Sequence, residues 1–335
     1  MSERLADYTT FHLGGPAKKF ITATTEKEII AAVDSADQAG EQVLILGGGS
    51  NLLISDAGFD GTVIHIANKG NGYEIDACSG GMLEVQAGED WDGFVQFCMS
   101  LGLANLESMS GIPGTIGASP IQNIGAYGHE VGEVIARVRA YDRHDREVKT
   151  FTASECGFAY RTSRFKDESD RYVILSVTFQ LRRGEKSLAI AYSELANALG
   201  VEVGARVEIE KVREAVLALR ASKGMLISEG IWSAGSFFTN PIVSADEAAK
   251  LPADAPRFPQ SNGAIKTSAA WLISNAGIET GYRHNGAQIS PRHVLALSNA
   301  GDATTADVLE LKDYVIEKVE AKFGIRLDPE VQIVN

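Results

Sequence analysis

The sequence predicts an α+β protein built as two or three packed lobes. Its 335 residues exceed the size at which one hydrophobic core usually stops growing. Near the start, a helical pattern feeds a short apolar run, a glycine turn and further apolar runs, as in a small α/β unit. The middle of the chain is dominated by alternating segments such as RYVILSVTFQLRR (171–183), which read as antiparallel strands rather than βαβ crossovers. With 44% hydrophobic and 22% charged residues, the composition allows a real core.

Each element follows from local chemistry. In TEKEIIAAVDSADQAG, Thr25 and Glu28 form a capping-box pair, Ile29, Ile30, Val33 and Ala36 share a face, and Gly40 stops the helix. QVLIL, LLI and TVIHI around GGGSN read as strand, turn and strands, ending the first lobe near residue 66. GMLEVQAG is a strand. DWDGFVQFCMSLG is a helix capped by Asp90, with Trp91, Phe94, Val95 and Cys98 on one face and Gly102 at its end. VIARVRAYD and EVKTFT flank RHDR as a hairpin. EIEKVREAVLALRASKG, with Ile209, Val212, Val216 and Leu219 in register, is a helix leading to the last lobe. That lobe holds the loop LPADAPRFPQ, a helix at TSAAWLISNAG, a strand VLALSN, the amphipathic helix TTADVLELKDYVIEKVEAKFG and a strand-like tail, RLDPEVQIV.

A formal net charge of −13 argues against a nucleic-acid partner, so positive charge toward any anionic ligand must be local. No segment has the apolar length to span a bilayer, and the acidic, interrupted N-terminus does not read as a signal peptide. Cys78, Cys98 and Cys156 are odd in number and far apart, which predicts neither a disulfide framework nor a zinc site. The expectation is a reduced, cytoplasmic protein without a metal.

Five stretches carry candidate chemistry. LGGGSN (46–51) follows a strand, where successive N–H groups can cradle a pyrophosphate, although a plain tight turn also accounts for it. GIPGTIGASPIQNIGAYG (111–128) packs five glycines and two prolines into eighteen residues. The spacing of Gly111, Gly114 and Gly117 lets backbone approach a flat ring system, with Gln122, Asn123 and Tyr127 supplying side-chain hydrogen bonds; a buried structural loop is the alternative. AYRTSRFK (159–166) gathers Arg161, Arg164 and Lys166 in an acidic protein, and Arg161 suits a carboxylate if it lies beside the loops. GSFFTNP (235–241) offers Ser236 without a hydrolase elbow, either as a capping or core serine or as a proton donor. DPEV (328–331) sets Glu330 in an apolar tail. The histidines His12, His65, His129, His144, His284 and His293 lack paired spacing and read as structural or surface residues.

Taken in order, LGGGSNLL, SGIPGTIGASPIQNIGAYG, YRTSRFK, GSFFTNP and LDPEV resemble the UDP-N-acetylenolpyruvoylglucosamine reductases, flavoenzymes that make UDP-N-acetylmuramate for peptidoglycan. The resemblance runs from TFHLGGPA at Thr10 to the last residues. It implies a fold of the vanillyl-alcohol-oxidase type, with FAD-binding lobes at 1–66 and 67–224, a substrate-binding domain at 225–325 and a C-terminal tail at 326–335. FAD is implied to be held non-covalently by Gly47, Gly48, Gly49, Ser50 and Asn51, and by Ile112, Gly114, Thr115, Gly117, Ala118, Ser119, Asn123 and Gly125.

Within that resemblance NADPH delivers hydride to the flavin, and the enolpyruvyl sugar nucleotide then takes its place. Arg161 matches the arginine that meets developing carboxylate charge. Ser236 matches the serine that protonates carbon, and Glu330 the glutamate that assists. Tyr192, in AYSEL, matches the closing residue of the tyrosine-loop subclass, and Lys223 a lysine near the diphosphate; Tyr127 and Asn240 complete the substrate set. Ser119, Ile121 and MLISEGIWSAGSFF depart from the usual pattern. A monomer is expected. The competing readings are another flavin oxidoreductase of this fold acting on an alcohol or sugar, and a nucleotide-binding module without chemistry.

Overall fold

The computed structural model describes residues 3–76 and 80–335; the first two residues and Cys78 lie outside the described residues. The chain forms two compact units. One comprises Ala17–Gly48 and Asp60–Ser222, the other Glu3–Pro16, Gly49–Phe59 and Lys223–Asn335.

In the first unit, helix Glu26–Gln38 starts where the capping box places it: the Thr25 hydroxyl accepts from the Glu28 N–H and the Glu28 carboxylate from the Thr25 N–H, each at 3.2 Å. Its Ile29, Val33 and Ala36 are fully buried. The accompanying sheet runs Ala17–Ala23, Phe59–Ile66, Val43–Leu46, the last two parallel.

The larger sheet is antiparallel in the order Glu147–Thr152, Ile135–Asp142, Tyr172–Arg183, Gly80–Gln86, Asn71–Asp76. Its central strand, Tyr172–Arg183, departs from simple alternation, because Ser176 and Thr178 are buried along with the apolar residues. Ser176 Oγ donates across the sheet to Glu84 at 2.8 Å, so its hydroxyl is satisfied without water. Phe179 receives Phe94 at 4.8 Å and Trp91 at 6.2 Å between ring centroids, which anchors helix Trp91–Ser100 on the sheet. The RHDR hairpin closes over Asp142, a fully buried carboxylate. Burial opposes its ionisation, but Arg171 and Lys149 at 2.9 and 2.8 Å, with the N–H groups of Asp145 and His144, outweigh burial and hold the carboxyl well below the usual range. Helices Ser193–Leu199 and Ile209–Ser222 share a small separate core of Ile190, Leu195, Val212 and Val216.

The second unit has a four-stranded antiparallel sheet, Trp232–Ser233, Leu297–Asn299, Ala287–Ile289, Arg283–His284, and a three-stranded one, Ile242–Val243, Ile265–Thr267, Arg257–Pro259. Helix Thr305–Phe323 is capped reciprocally by Thr304 and Asp307 and ends at Gly324 with φ +67°. The strand Leu52–Ile54, which reads in sequence as part of the small α/β lobe, instead pairs in parallel with the tail strand Gln332–Val334. Phe11 also packs edge-on against Phe237 at 6.3 Å. These long-range contacts explain why residues 3–16 and 49–59 belong with the C-terminal segments expected at 225–325 and 326–335, while most of 1–66 joins 67–224.

Candidate active site

The loop 111–128 is fixed at its entrance by a charged clamp. Gly111, at φ +71°, donates its N–H to Asp92 Oδ1 at 2.6 Å and accepts from Arg220 Nε at 3.1 Å. Asp92 is held in turn by a bidentate pair with Arg213, both contacts 2.7 Å. Burial works against the Asp92 carboxylate, yet Arg213 and the Gly111 N–H pull its pKa below normal. Further on, Ile116 and Gly117 donate to the carbonyls of Glu89 and Ala87 at 2.9 and 2.8 Å, and Trp91 donates to Gly114 at 3.1 Å.

The glycines answer first to protein packing. A Cβ on Gly47 would stand 2.6 Å from Thr115 Oγ1, one on Gly48 2.9 Å from Gly114 Cα, and one on Gly117 2.7 Å from Ala87 Cβ. Bare backbone therefore lets Gly47–Gly48 and Gly114–Thr115 lie against each other, a closer role than the ring approach read from the spacing. Among the described residues, the amides of Gly48, Gly114 and Thr115 donate to no protein acceptor. They form a set of donors that an anion would satisfy.

The loop ends in a two-residue hairpin turn. Ala126 pairs with His129, and Tyr127 and Gly128 both take positive φ, +50° and +90°, as a type I′ turn requires. Burial pushes the Tyr127 hydroxyl up to about 12, against the opposing effect of Arg220. Asn123, expected to hydrogen-bond a ligand, is buried with its amide already used: Nδ2 donates to Glu130 and to the Ala159 carbonyl at 2.6 and 3.0 Å, and Oδ1 accepts from Gly132 at 2.8 Å. Its side chain shapes the loop. The Ser119 hydroxyl likewise donates to Ile116 at 2.7 Å, while Ile112 and Ala118 are half-buried in the loop.

Arg161 sits in a tight turn in which Ala159 and Thr162 exchange backbone bonds of 3.1 and 3.2 Å. Its φ of +55° is uncommon for a bulky residue and marks local strain. The guanidinium donates to the carbonyls of Gly125 at 2.8 Å and Asn123 at 3.5 Å, and Lys166 grips the Arg161 carbonyl at 2.8 Å. Arg161 is therefore brought to the glycine loop. Arg164 and Lys166, the other cations of that stretch, lie on the short helix Arg164–Asp167. Tyr192, exposed, stands at the start of helix Ser193–Leu199.

The second unit brings Glu330 to the serine motif. The Glu330 N–H donates to Phe237 at 2.8 Å, Thr239 donates to Asp328 at 3.0 Å, and Phe237 is itself held by the Leu295 carbonyl at 2.8 Å. Ser236 is half-buried and its hydroxyl makes no hydrogen bond among the described residues. Asn51 brackets the tail, donating to the Glu330 carbonyl at 3.1 Å and accepting from the Gln332 N–H at 3.0 Å. Gly49 accepts from Thr10 at 3.2 Å, and its φ of +59° with the Tyr8 carbonyl only 1.8 Å from a built Cβ excludes any side chain there. Ser50 and Lys223 are half-buried, and Asn240 accepts from the Ala269 N–H at 2.9 Å.

Two family models match this chain: an FAD binding domain over residues 17–151, and the C-terminal domain of UDP-N-acetylenolpyruvoylglucosamine reductase over residues 227–334. The UDP-N-acetylenolpyruvoylglucosamine reductase of Cutibacterium acnes is 50% identical, covering 99% of this chain and 89% of its own. The chain belongs to the UDP-N-acetylenolpyruvoylglucosamine reductase family. The reductase of Streptomyces coelicolor is 49% identical over 96% of this chain and 87% of its own. The crystal structure of the Thermus caldophilus reductase superposes with a TM-score of 0.70 at 25% identity, covering 100% of this chain and 98% of that one. The α+β, vanillyl-alcohol-oxidase-type fold expected from the resemblance is that of the family.

Sequence reading missed the Asp92, Arg213 and Arg220 clamp. A signal was present: Arg220 lies four residues after Val216 on the buried face of helix Ile209–Ser222, and it is only 7% exposed. An arginine in a core register needs partners, and here they are loop atoms.

Proposed function

We infer that the protein is an FAD-dependent oxidoreductase that uses NADPH to reduce UDP-N-acetylglucosamine enolpyruvate to UDP-N-acetylmuramate, a step of peptidoglycan precursor synthesis. The observation that carries this reading is 50% identity, across nearly the whole of both chains, to a reductase of that name. The residues fit the cofactor: the unsatisfied amides of Gly48, Gly114 and Thr115 suit pyrophosphate oxygens, and the clamp on Gly111 holds their loop in shape. FAD, when bound, accepts hydride from NADPH and supplies hydride to the enolpyruvyl double bond.

The protein's own part is to manage charge and a proton. As the substrate is reduced, negative charge develops on the carbon beside the carboxylate and spreads into it. Arg161, already fixed by two loop carbonyls, meets that charge without reorganising. Ser236 delivers the proton to that carbon from a hydroxyl not spent on the protein, and Glu330, tied to the same motif through Phe237, assists as the second acid. Tyr127, Tyr192, Lys223 and Asn240 bind the sugar nucleotide, with Tyr192 closing over the diphosphate. The glycines of 47–49, with Ser50, Asn51 and the 112–125 loop, hold the flavin non-covalently.

We take the protein to work in the cytoplasm as a monomer. No helix among the described residues is long and apolar enough to cross a membrane. Incubating the FAD-loaded protein with NADPH and the enolpyruvyl sugar nucleotide tests the reading. The expected product is heavier by two hydrogens, with equimolar NADPH consumed; flavin that is reduced by NADPH but never reoxidised by this substrate would refute it.

A further inference from the structure

His129 lies in the hairpin that ends the glycine loop, and each of its ring nitrogens faces an acceptor. Nδ1 stands 3.1 Å from the Glu133 carboxylate, and Nε2 stands 3.3 Å from the Ala189 carbonyl. A neutral imidazole carries one N–H and satisfies only one of them; the imidazolium donates to both. The Ala189 carbonyl belongs to the segment that leads into Tyr192. The hairpin touches that segment directly, since a Cβ on Gly128 would stand 2.6 Å from Ala191 Cβ and 3.1 Å from Tyr192 Cδ2. Apart from the Tyr192 carbonyl, which accepts from Ala196 at 2.9 Å in the first turn of the helix, the segment's other backbone ties are to residues beyond the helix: Ile190 donates to Ala205 at 2.9 Å and accepts from Gly204 at 2.8 Å, and Ser187 donates to Val207 at 2.8 Å.

We propose that His129 is a positioning residue for Tyr192: as the imidazolium it joins Glu133 to the Ala189 carbonyl and holds the segment 189–192 against the end of the glycine loop. The charged groups facing it are Glu133, on the turn Val131–Glu133, and Glu107, on the turn Glu107–Met109. Glu133 does most to raise the pKa of His129 above 6.5, against burial, with the Ala189 carbonyl and Glu107 adding to it. The sign follows. A raised pKa in the folded protein makes the tether complete below pH 6.5 and loosens it as pH climbs through the higher, folded value. That Tyr192 touches substrate rests on the function proposed above; that His129 holds its segment does not.

Hydrogen exchange by mass spectrometry on the FAD-loaded enzyme separates the two. The ratio of exchange rates between His129→Gln and wild type, for peptides spanning 187–200, cancels the intrinsic pH dependence of exchange. The ratio should be at least about tenfold at pH 6, the weight of one charge-assisted hydrogen bond, and fall toward one by pH 9. In the Glu133→Gln background the fall should come at lower pH, because the carboxylate that raises the histidine is gone. A ratio of one at pH 6, or one that ignores pH, overturns the tether. Alongside the expected exchange ratio, KM for the sugar nucleotide should rise about threefold in His129→Gln at pH 6 with kcat nearly unchanged, and further in Tyr192→Phe. An unchanged KM in Tyr192→Phe, alongside the expected exchange ratio, removes Tyr192 from the substrate site and leaves the tether standing.

Discussion

Replacing Gly48 by alanine inserts one methyl group between the two glycine loops. The new Cβ would lie 2.9 Å from Gly114 Cα, with the Gly114 carbonyl carbon and nitrogen at 3.4 and 3.6 Å. Ordinary contact begins at 3.4 Å, so the loops must part by about half an ångström, and the obstacle is backbone rather than the end of a mobile side chain. Overpacking of this kind costs about 1–3 kcal/mol. If the amides of Gly48, Gly114 and Thr115 act together on one pyrophosphate, much of that cost is met when FAD demands the closed spacing. The dissociation constant for FAD should then rise roughly 5- to 150-fold. Titrating apoprotein with FAD and following quenching of flavin fluorescence measures this, and the melting temperature of the same apoprotein reports what the substitution costs without ligand. A lowered apo melting temperature with FAD affinity unchanged would mean that the loops are close only for the sake of the fold, and the cradle would have to be placed elsewhere.

Two further outcomes follow from the structure. Acid precipitation should release all flavin into the supernatant, because neither glycine loop contains a histidine or cysteine between its ends; colour retained in the pellet would mean a covalent link. Asp142→Asn should lower the stability of the first unit by about 2 kcal/mol near neutral pH, the scale for lost hydrogen bonds to a charged group, and make its melting temperature less sensitive to acid. The sign is that of a depressed carboxylate: its contribution is complete above the unfolded pKa and is lost as pH falls through the folded value. A variant that keeps the wild-type acid profile would show that Asp142 does not govern it.

Local chemistry was readable wherever it was self-contained. Thr25 with Glu28 caps its helix as the spacing predicts, and RHDR closes its hairpin. What escaped depends on contacts far along the chain. Asn71–Asp76 is an edge strand exposed at every position, so it has no apolar alternation to find. Leu52–Ile54 looks like a neighbour of the strands around it until the tail arrives to pair with it. The same limit applied at the site. The two glycine motifs were visible, but not that Gly48 and Gly114 press on each other, nor that the Asn123 amide is consumed by Glu130, Ala159 and Gly132. His129 read only as a structural or surface histidine because its partners, Glu133 and Ala189, become informative only when both flank one ring.

Whether Ser236 supplies the proton to substrate carbon is decided by separating the half-reactions. In Ser236→Ala, flavin bleaching by NADPH needs no proton at that carbon, whereas colour recovery on anaerobic addition of the enolpyruvyl sugar nucleotide does. Stopped-flow absorbance follows both in one preparation. The first step should run close to the wild-type rate and the second at least about a hundredfold slower, the lower range for general acid catalysis. Equal slowing of both steps, or recovery at the wild-type rate, would contradict proton delivery by Ser236.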